Sequence, residues 1–147
     1  MVLHHFQTHP TSKEMVIQKK YHFYAAHRNK EAGEKCGRIH GHTYKVKVHC
    51  AFPDFKGDVA MLFGDIDDIC ESVIKSFDHY FILHDEDPLA ALLNSCGEPF
   101  IPVPFVTSAE NMARHLFDLL EEEGLPITKI EIAETESSNV VYQPSNL

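Results

Sequence analysis

The sequence has no tryptophan, and its four cysteines, Cys36, Cys50, Cys70 and Cys96, form no CxxC pair and no regular spacing. A disulfide framework or a zinc ribbon needs such spacing, so neither is expected, and free thiols in a cytoplasmic protein are the expected state. Cations are scarce: 13 Lys and Arg stand against 22 Asp and Glu, for a net charge of −9. Nucleic-acid binding relies on a basic footprint, and a chain this acidic is a poor candidate for it. No apolar run approaches the ~20 residues of a membrane helix, so no membrane partner is expected. The opening residues lack a basic segment followed by an apolar stretch, so no secretory leader is expected. Internal repeats and low-complexity tracts are also missing. What remains is 147 residues, 44% of them hydrophobic, the size and make-up of one domain that buries its core without staples. The abundance is in histidine, with 11 residues, and it directs attention to metal.

Hydrophobic periodicity divides the chain. Residues 1–15 are polar and aperiodic and are expected to form a loose N-terminal arm, with His4, His5 and His9 in it; residues 16–147 form the domain. Val16 to His27 reads as a strand, with Tyr21, Phe23, Ala25 and His27 on one face. Residues 28–38 form a polar connection. From His40 to Phe52 the alternation is clean: His42, Tyr44, Val46, Val48, Cys50 and Phe52 point one way, and Thr43, Lys45, Lys47 and His49 the other. Asp65 begins an amphipathic helix through Ile66, Ile69, Cys70, Val73, Ile74 and Phe77. A long connection over 80–106 contains a short helical turn from Pro88 to Leu93 and a proline-rich end. Thr107 to Glu110 resembles a capping box for a second amphipathic helix through Met112, Leu116, Leu119 and Leu120, stopped by Gly124 and Pro126. Ile127 to Ala133 and Val140 to Tyr142 read as closing strands. The order is that of an α+β fold.

Chemistry concentrates at Cys36-Gly-Arg-Ile-His40-Gly-His42. On a strand, residues i and i+2 share a face, so His40 and His42 present two imidazoles to one point. His27, ending the neighbouring strand, is the natural third. Three histidines with one open position make a catalytic zinc site, and two exposed histidines at a strand entry are the plain alternative. Cys36 reads either as a small buried hydrophobe or as a thiolate beside a metal and Arg38, serving as a fourth ligand or a base. Asp78-His79 reads either as a proton-transfer pair or as a helix-terminal histidine. Glu134, at a strand end, reads as a solvated charge or as a bidentate acceptor for an amidine-like edge. Glu110 has a capping role open to it. His84 to Asp87 reads as a surface loop, Glu121 to Glu123 as a solvated face, and His22, His49 and His115 have no evident partner.

Taken in order, Phe23-Tyr-Ala-Ala-His27, Cys36-Gly-Arg-Ile-His-Gly-His42-Thr-Tyr44, Phe63-Gly-Asp65, Phe77-Asp-His79, Ser108-Ala-Glu-Asn111 and Ile132-Ala-Glu-Thr135 resemble the 6-pyruvoyl- and 6-carboxytetrahydropterin synthase family. The resemblance runs from about Lys19 to Tyr142. It implies the T-fold: a four-stranded antiparallel sheet with two helices on one face, oligomerising into a β-barrel. The implied assembly is a homohexamer, a dimer of trimers, with active sites at subunit interfaces. It further implies that His27, His40 and His42 are zinc ligands and that Cys36 is the catalytic thiol, with Asp78 and His79 as its proton-transfer partners. Glu134 would anchor the pterin, with Ser108 and Glu110 in the same pocket. The implied substrate is 7,8-dihydroneopterin triphosphate, and Arg28, Lys30, Lys35 and Arg38 are candidates for its triphosphate. The three-residue gap between Cys36 and His40 resembles the 6-carboxy branch, which releases acetaldehyde and triphosphate and supplies queuosine biosynthesis. The alternatives are the 6-pyruvoyl reaction and a catalytically silent protein that binds zinc and pterin. The chain departs from the family pattern at Leu62, where Asp is common, at Thr107-Ser108, where Pro-Thr is usual, and in the length of its 84–106 connection.

Overall fold

The computed structural model describes residues 14–145, so most of the expected N-terminal arm lies outside the described residues. Strand β1 (Met15–His27) and strand β2 (His40–Phe52) are both 13 residues long. They pair antiparallel without a break, from Met15 opposite Phe52 to His27 opposite His40. Strand β5 (Ile127–Thr135) pairs antiparallel with β2, and β6 (Ser138–Tyr142) with β5. These four strands are the expected antiparallel sheet.

Among the described residues the sheet has six strands rather than four, in the order β4-β3-β1-β2-β5-β6. The additions are β3 (Tyr80–His84) and β4 (Ile101–Val103), both parallel-paired, inside the stretch expected to be an irregular connection. Both are short, and Tyr80 to Leu83 is a continuous run of large apolar and aromatic residues with no alternation to betray a strand. Pro102 within β4 is tolerated because β4 lies at the sheet edge, where an amide N–H need not be supplied. β3 reaches only Ala25 and Ala26 of β1, so among the described residues no strand lies along the outer edge of β1 before them.

Among the described residues there are three α-helices, one more than expected. Helix α1 (Phe63–Ile74) buries Ile66, Cys70 and Ile74 and runs into a 3-10 turn over Lys75–Phe77. Helix α2 (Pro88–Cys96) is the segment read as a single turn. Asp87 caps its start, and Gly97, in the left-handed region at φ 74°, ends it while two amides bond back to Leu93 and Asn94. Helix α3 (Ala109–Glu122) buries Met112, Ala113, Leu116, Phe117 and Leu120. The expected capping box is only half made. Ser108 is the cap, accepting from the Asn111 amide at 3.2 Å, and Asn111, not Glu110, occupies the third helical position.

α1 and α3 bring their apolar faces to the side of the sheet that carries Phe23, Tyr44, Val46, Val48, Ile130 and Ile132, and all of these are buried. Phe23 and Tyr44 stack with centroids 4.8 Å apart, closing the core beneath the end of the β1–β2 pair. His49 departs from its expected exposure: it is only 5% accessible, and its Nε2 lies 2.6 Å from Glu131 Oε2. No helix among the described residues is long and apolar enough to cross a membrane.

Leu116 is fully buried between α3 and the sheet. Leu116→Ala is expected to lower the unfolding free energy by about 2–5 kcal/mol, read from urea unfolding at fixed protein concentration.

Candidate active site

The register of β1 and β2 places His27 directly opposite His40, with His42 two residues along on the same face. Gly41 between them sits against β1, where a Cβ would stand 3.2 Å from the Ala25 carbonyl oxygen. The three rings have centroids 4.6 Å (His27–His40), 5.0 Å (His27–His42) and 4.9 Å (His40–His42) apart. One nitrogen from each lies within 4.8 Å of the others, a cluster that can hold a metal ion.

The chemistry of the donor set fits that role. His27 Nδ1–H donates to the Thr107 carbonyl at 2.7 Å, and His40 Nδ1–H donates to the Arg38 carbonyl at 2.6 Å. These bonds fix the tautomer in which Nε2 carries the lone pair. His27 Nε2 and His42 Nε2 stand 3.1 Å apart. Burial pushes both of these histidines below the usual imidazole pKa, toward the neutral form that ligates. Imidazole nitrogens suit zinc, copper, iron or nickel, and three of them leave a position open. Beneath the cluster lies the buried Tyr44 ring, whose hydroxyl burial holds neutral by pushing its pKa up.

His27 and His40 form one wall of a cleft of about 420 Å³ that also gathers Cys36, Ser108, Glu110 and Glu134. Cys36 is exposed, which removes the buried-hydrophobe reading. The Glu134 carboxylate stands 3.8 Å from His27 Nε2 and 3.6 Å from His42 Nε2. That is too far to hydrogen-bond, and close enough for attraction to a positive charge at the cluster. Ser108 Oγ accepts from the Asn111 amide at the α3 cap, while Glu110 projects from the first turn of α3.

Asp78 and His79 do not line this cleft. His79 has φ 64°, an uncommon left-handed conformation, and its amide donates to the Tyr24 carbonyl at 2.6 Å. Asp78 Oδ1 accepts from the Tyr24 amide at 2.8 Å and Oδ2 accepts from His79 Nδ1 at 2.9 Å. Those two bonds hold the Asp78 carboxyl below the usual carboxylate range, the backbone amide contributing most. His79 lines a shallow pocket with Tyr24, Ala25, Ala26, Gly41, His42 and Thr43, so His42 borders this pocket while Cys36 does not. One chain therefore holds Cys36 and His79 in different pockets. Of the triphosphate candidates, Arg28 is bound to Asp87 and Arg38 to Glu34. Thr107 was legible only as part of a capping signal, yet it is 1% exposed and orients His27.

A profile of the 6-pyruvoyl tetrahydropterin synthase family matches residues 16–145. The chain belongs to that family. A 6-carboxy-5,6,7,8-tetrahydropterin synthase from Haemophilus influenzae is 36% identical over 137 residues, covering 86% of this chain and 97% of the relative. A putative 6-carboxy-5,6,7,8-tetrahydropterin synthase from Archaeoglobus fulgidus is 31% identical, covering 84% and 91%. Among solved structures, the 6-pyruvoyl tetrahydropterin synthase of Caenorhabditis elegans shares the fold at TM-score 0.67 and 22% identity, over 90% of this chain and 97% of that one. An uncharacterized protein from Wolinella succinogenes does so at TM-score 0.76 and 21% identity, over 90% and 99%. The fold is thus the T-fold of the tetrahydropterin synthases, and this family member is an enzyme of the lyase class.

Thiol reactivity in this family member should divide in two. Burial raises the pKa of Cys50 to about 12 and of Cys70 to about 11, whereas Cys36 and Cys96 are exposed. Titration of the native chain with a thiol reagent is expected to modify Cys36 and Cys96 within minutes. Cys50 and Cys70 should react only after denaturation.

Proposed function

We propose that the chain converts 7,8-dihydroneopterin triphosphate into 6-carboxy-5,6,7,8-tetrahydropterin, releasing acetaldehyde and triphosphate, in the cytoplasmic supply of queuosine precursors. The observation that carries this reading is a three-histidine cluster of which His27 and His40 line one cleft with Cys36 and Glu134. The names of the relatives from Haemophilus influenzae and Archaeoglobus fulgidus support the 6-carboxy product, as does the three-residue gap between Cys36 and His40. Four free cysteines suit a reducing compartment. The 6-pyruvoyl product is the second reading, favoured by the family description and by the name of the Caenorhabditis elegans structure.

In the proposed site His27, His40 and His42 hold zinc. Bound there, zinc supplies Lewis-acid polarisation of the substrate's side-chain oxygens. Glu134 accepts two N–H groups from the pterin ring, fixing its plane and register. Cys36, as thiolate, moves a proton at the side-chain carbon. Asp78 accepts from His79 Nδ1, so His79 Nε2 is the atom left to exchange protons with the thiol. Because the two groups occupy separate pockets of one chain, we propose that a neighbouring copy brings His79 to Cys36. β6 at one end of the antiparallel sheet, and the outer edge of β1 before His22 at the other, carry no further strand among the described residues. Such edges invite pairing between copies and support closure of the sheets into a barrel within a homohexamer.

Incubation of zinc-loaded protein with 7,8-dihydroneopterin triphosphate, with pterins and acetaldehyde quantified, is expected to give the 6-carboxy product. Cys36→Ala should lower kcat by about 10²–10⁴-fold with zinc retained. Subunits of Cys36→Ala and His79→Ala, unfolded together and reassembled, should regain turnover that neither has alone. A 6-pyruvoyl product without acetaldehyde would move the chain to the other branch. Zinc and pterin binding without turnover would leave only a binding protein.

A further inference from the structure

We propose that the Arg28–Asp87 ion pair is a positioning pair for the first histidine of the cluster, acting through Thr107. The proposal rests on reading His27 as a metal ligand. Arg28 is the residue on which the chain leaves β1, and by composition it belongs in water. Its side chain is only 15% exposed, and that of Asp87 is 10% exposed. The guanidinium donates through Nε to Asp87 Oδ2 at 2.8 Å and through a second nitrogen, Nη2, to Oδ1, so both carboxylate oxygens are engaged. This is the paired, planar geometry that only arginine makes with a carboxylate.

Asp87 is itself held. Its Oδ1 caps α2 by accepting from the Leu89 amide at 2.9 Å, and its own amide donates to the His84 carbonyl at 3.0 Å. Arg28 is therefore pinned to the junction of β3 and α2. The backbone of Arg28 in turn accepts from Thr107 Oγ1 at 3.3 Å, and the Thr107 carbonyl accepts from His27 Nδ1. The links run from the Asp87 carboxylate through Arg28 and Thr107 to the His27 ring. Thr107 is 1% exposed, so water does not replace either of its bonds.

Breaking the pair strands a shielded charge, which must turn toward water to recover its hydration. For Arg28 that motion swings the peptide to which Thr107 is bonded. The acceptor that sets the rotation of the His27 ring then moves, and its Nε2 no longer points where the other two histidines converge. The same pairing makes Arg28 a poor triphosphate binder, because its fork is already occupied.

Asp87→Asn keeps an oxygen able to cap α2 and removes the charge, so it isolates the pair. In metal-free, ¹⁵N-histidine-labelled full chain, the His27 Nδ1–H proton is expected to exchange with water at least tenfold faster in Asp87→Asn than in wild type. Affinity for Zn²⁺ alone, measured against a chelator, should fall 10–100-fold, and the visible spectrum of the Co²⁺-loaded protein should shift. Arg28→Lys keeps the charge without the fork and should change the same readouts in the same direction; it stands in if Asp87→Asn fails to fold. Ile74→Val, a core change away from the site, controls for a loss of Tm and should leave all three readouts unchanged. The proposal is overturned if Asp87→Asn or Arg28→Lys lowers Tm but leaves proton exchange, Zn²⁺ affinity and the Co²⁺ spectrum at wild-type values. If wild type takes up neither Zn²⁺ nor Co²⁺, the metal reading fails, and proton exchange alone decides the positioning role: tenfold acceleration upholds it and an unchanged rate sinks it.

Discussion

The candidate site depends first on the pairing register of β1 and β2. Side chains alternate along a strand, so a slip of one residue would send His27 to the far side of the sheet from His40 and His42. The 13-residue ladder resists that slip because it also positions the core: Phe23 lies opposite Tyr44, and Tyr21 opposite Val46. Moving the histidines would expose Phe23 and Tyr44, both of which are buried and stacked on each other. Site geometry and hydrophobic burial are thus held by the same hydrogen bonds. Gly41 adds a local condition, since the strands run too close there for a side chain without adjustment.

The rest of the fold acts on that ladder from its ends. α3 begins beside it, so that the residue before its cap supplies the carbonyl that turns His27. β5 ends beside it and delivers Glu134 within 3.6–3.8 Å of two imidazoles. The 84–106 stretch has its own strand and helix and returns a carboxylate to the residue following His27. Each element reaches the site at a terminus, where backbone groups are unpaired and available to side chains.

Much of this was readable from residue patterns where one face is buried and the other wet. β2 alternates cleanly, and its bounds were legible to the residue; α1 and α3 carry apolar stripes at helical spacing. The pair His40 and His42 was legible because strand geometry puts i and i+2 together. His27 followed from standing at the end of the preceding strand. β3 and β4 were not legible, since a short apolar run without alternation and a proline-bearing edge give no periodic signal. The partnership of His49 with Glu131 joins residues 82 apart, and that of Thr107 with His27 joins residues 80 apart; no local pattern encodes either. Cys36 was legible beside the metal from its place four residues before His40, whereas the arrival of Glu134 at the cluster came from family likeness rather than from spacing. The direction taken by His79 depends on a left-handed backbone angle that sequence alone did not suggest.

The separation of the thiol from the aspartate–histidine pair bears on the life of the newly made chain. Within one copy the core, the register and the histidine rings are in place, while the groups proposed to serve the thiol lie in another pocket. If copies join as proposed, chemistry begins only on joining, and dilution switches it off as surely as a lesion in the cleft. Surface residues along the strand edges then become as consequential for turnover as the residues around the metal, and a damaged copy spoils a half-site on its neighbour as well as its own.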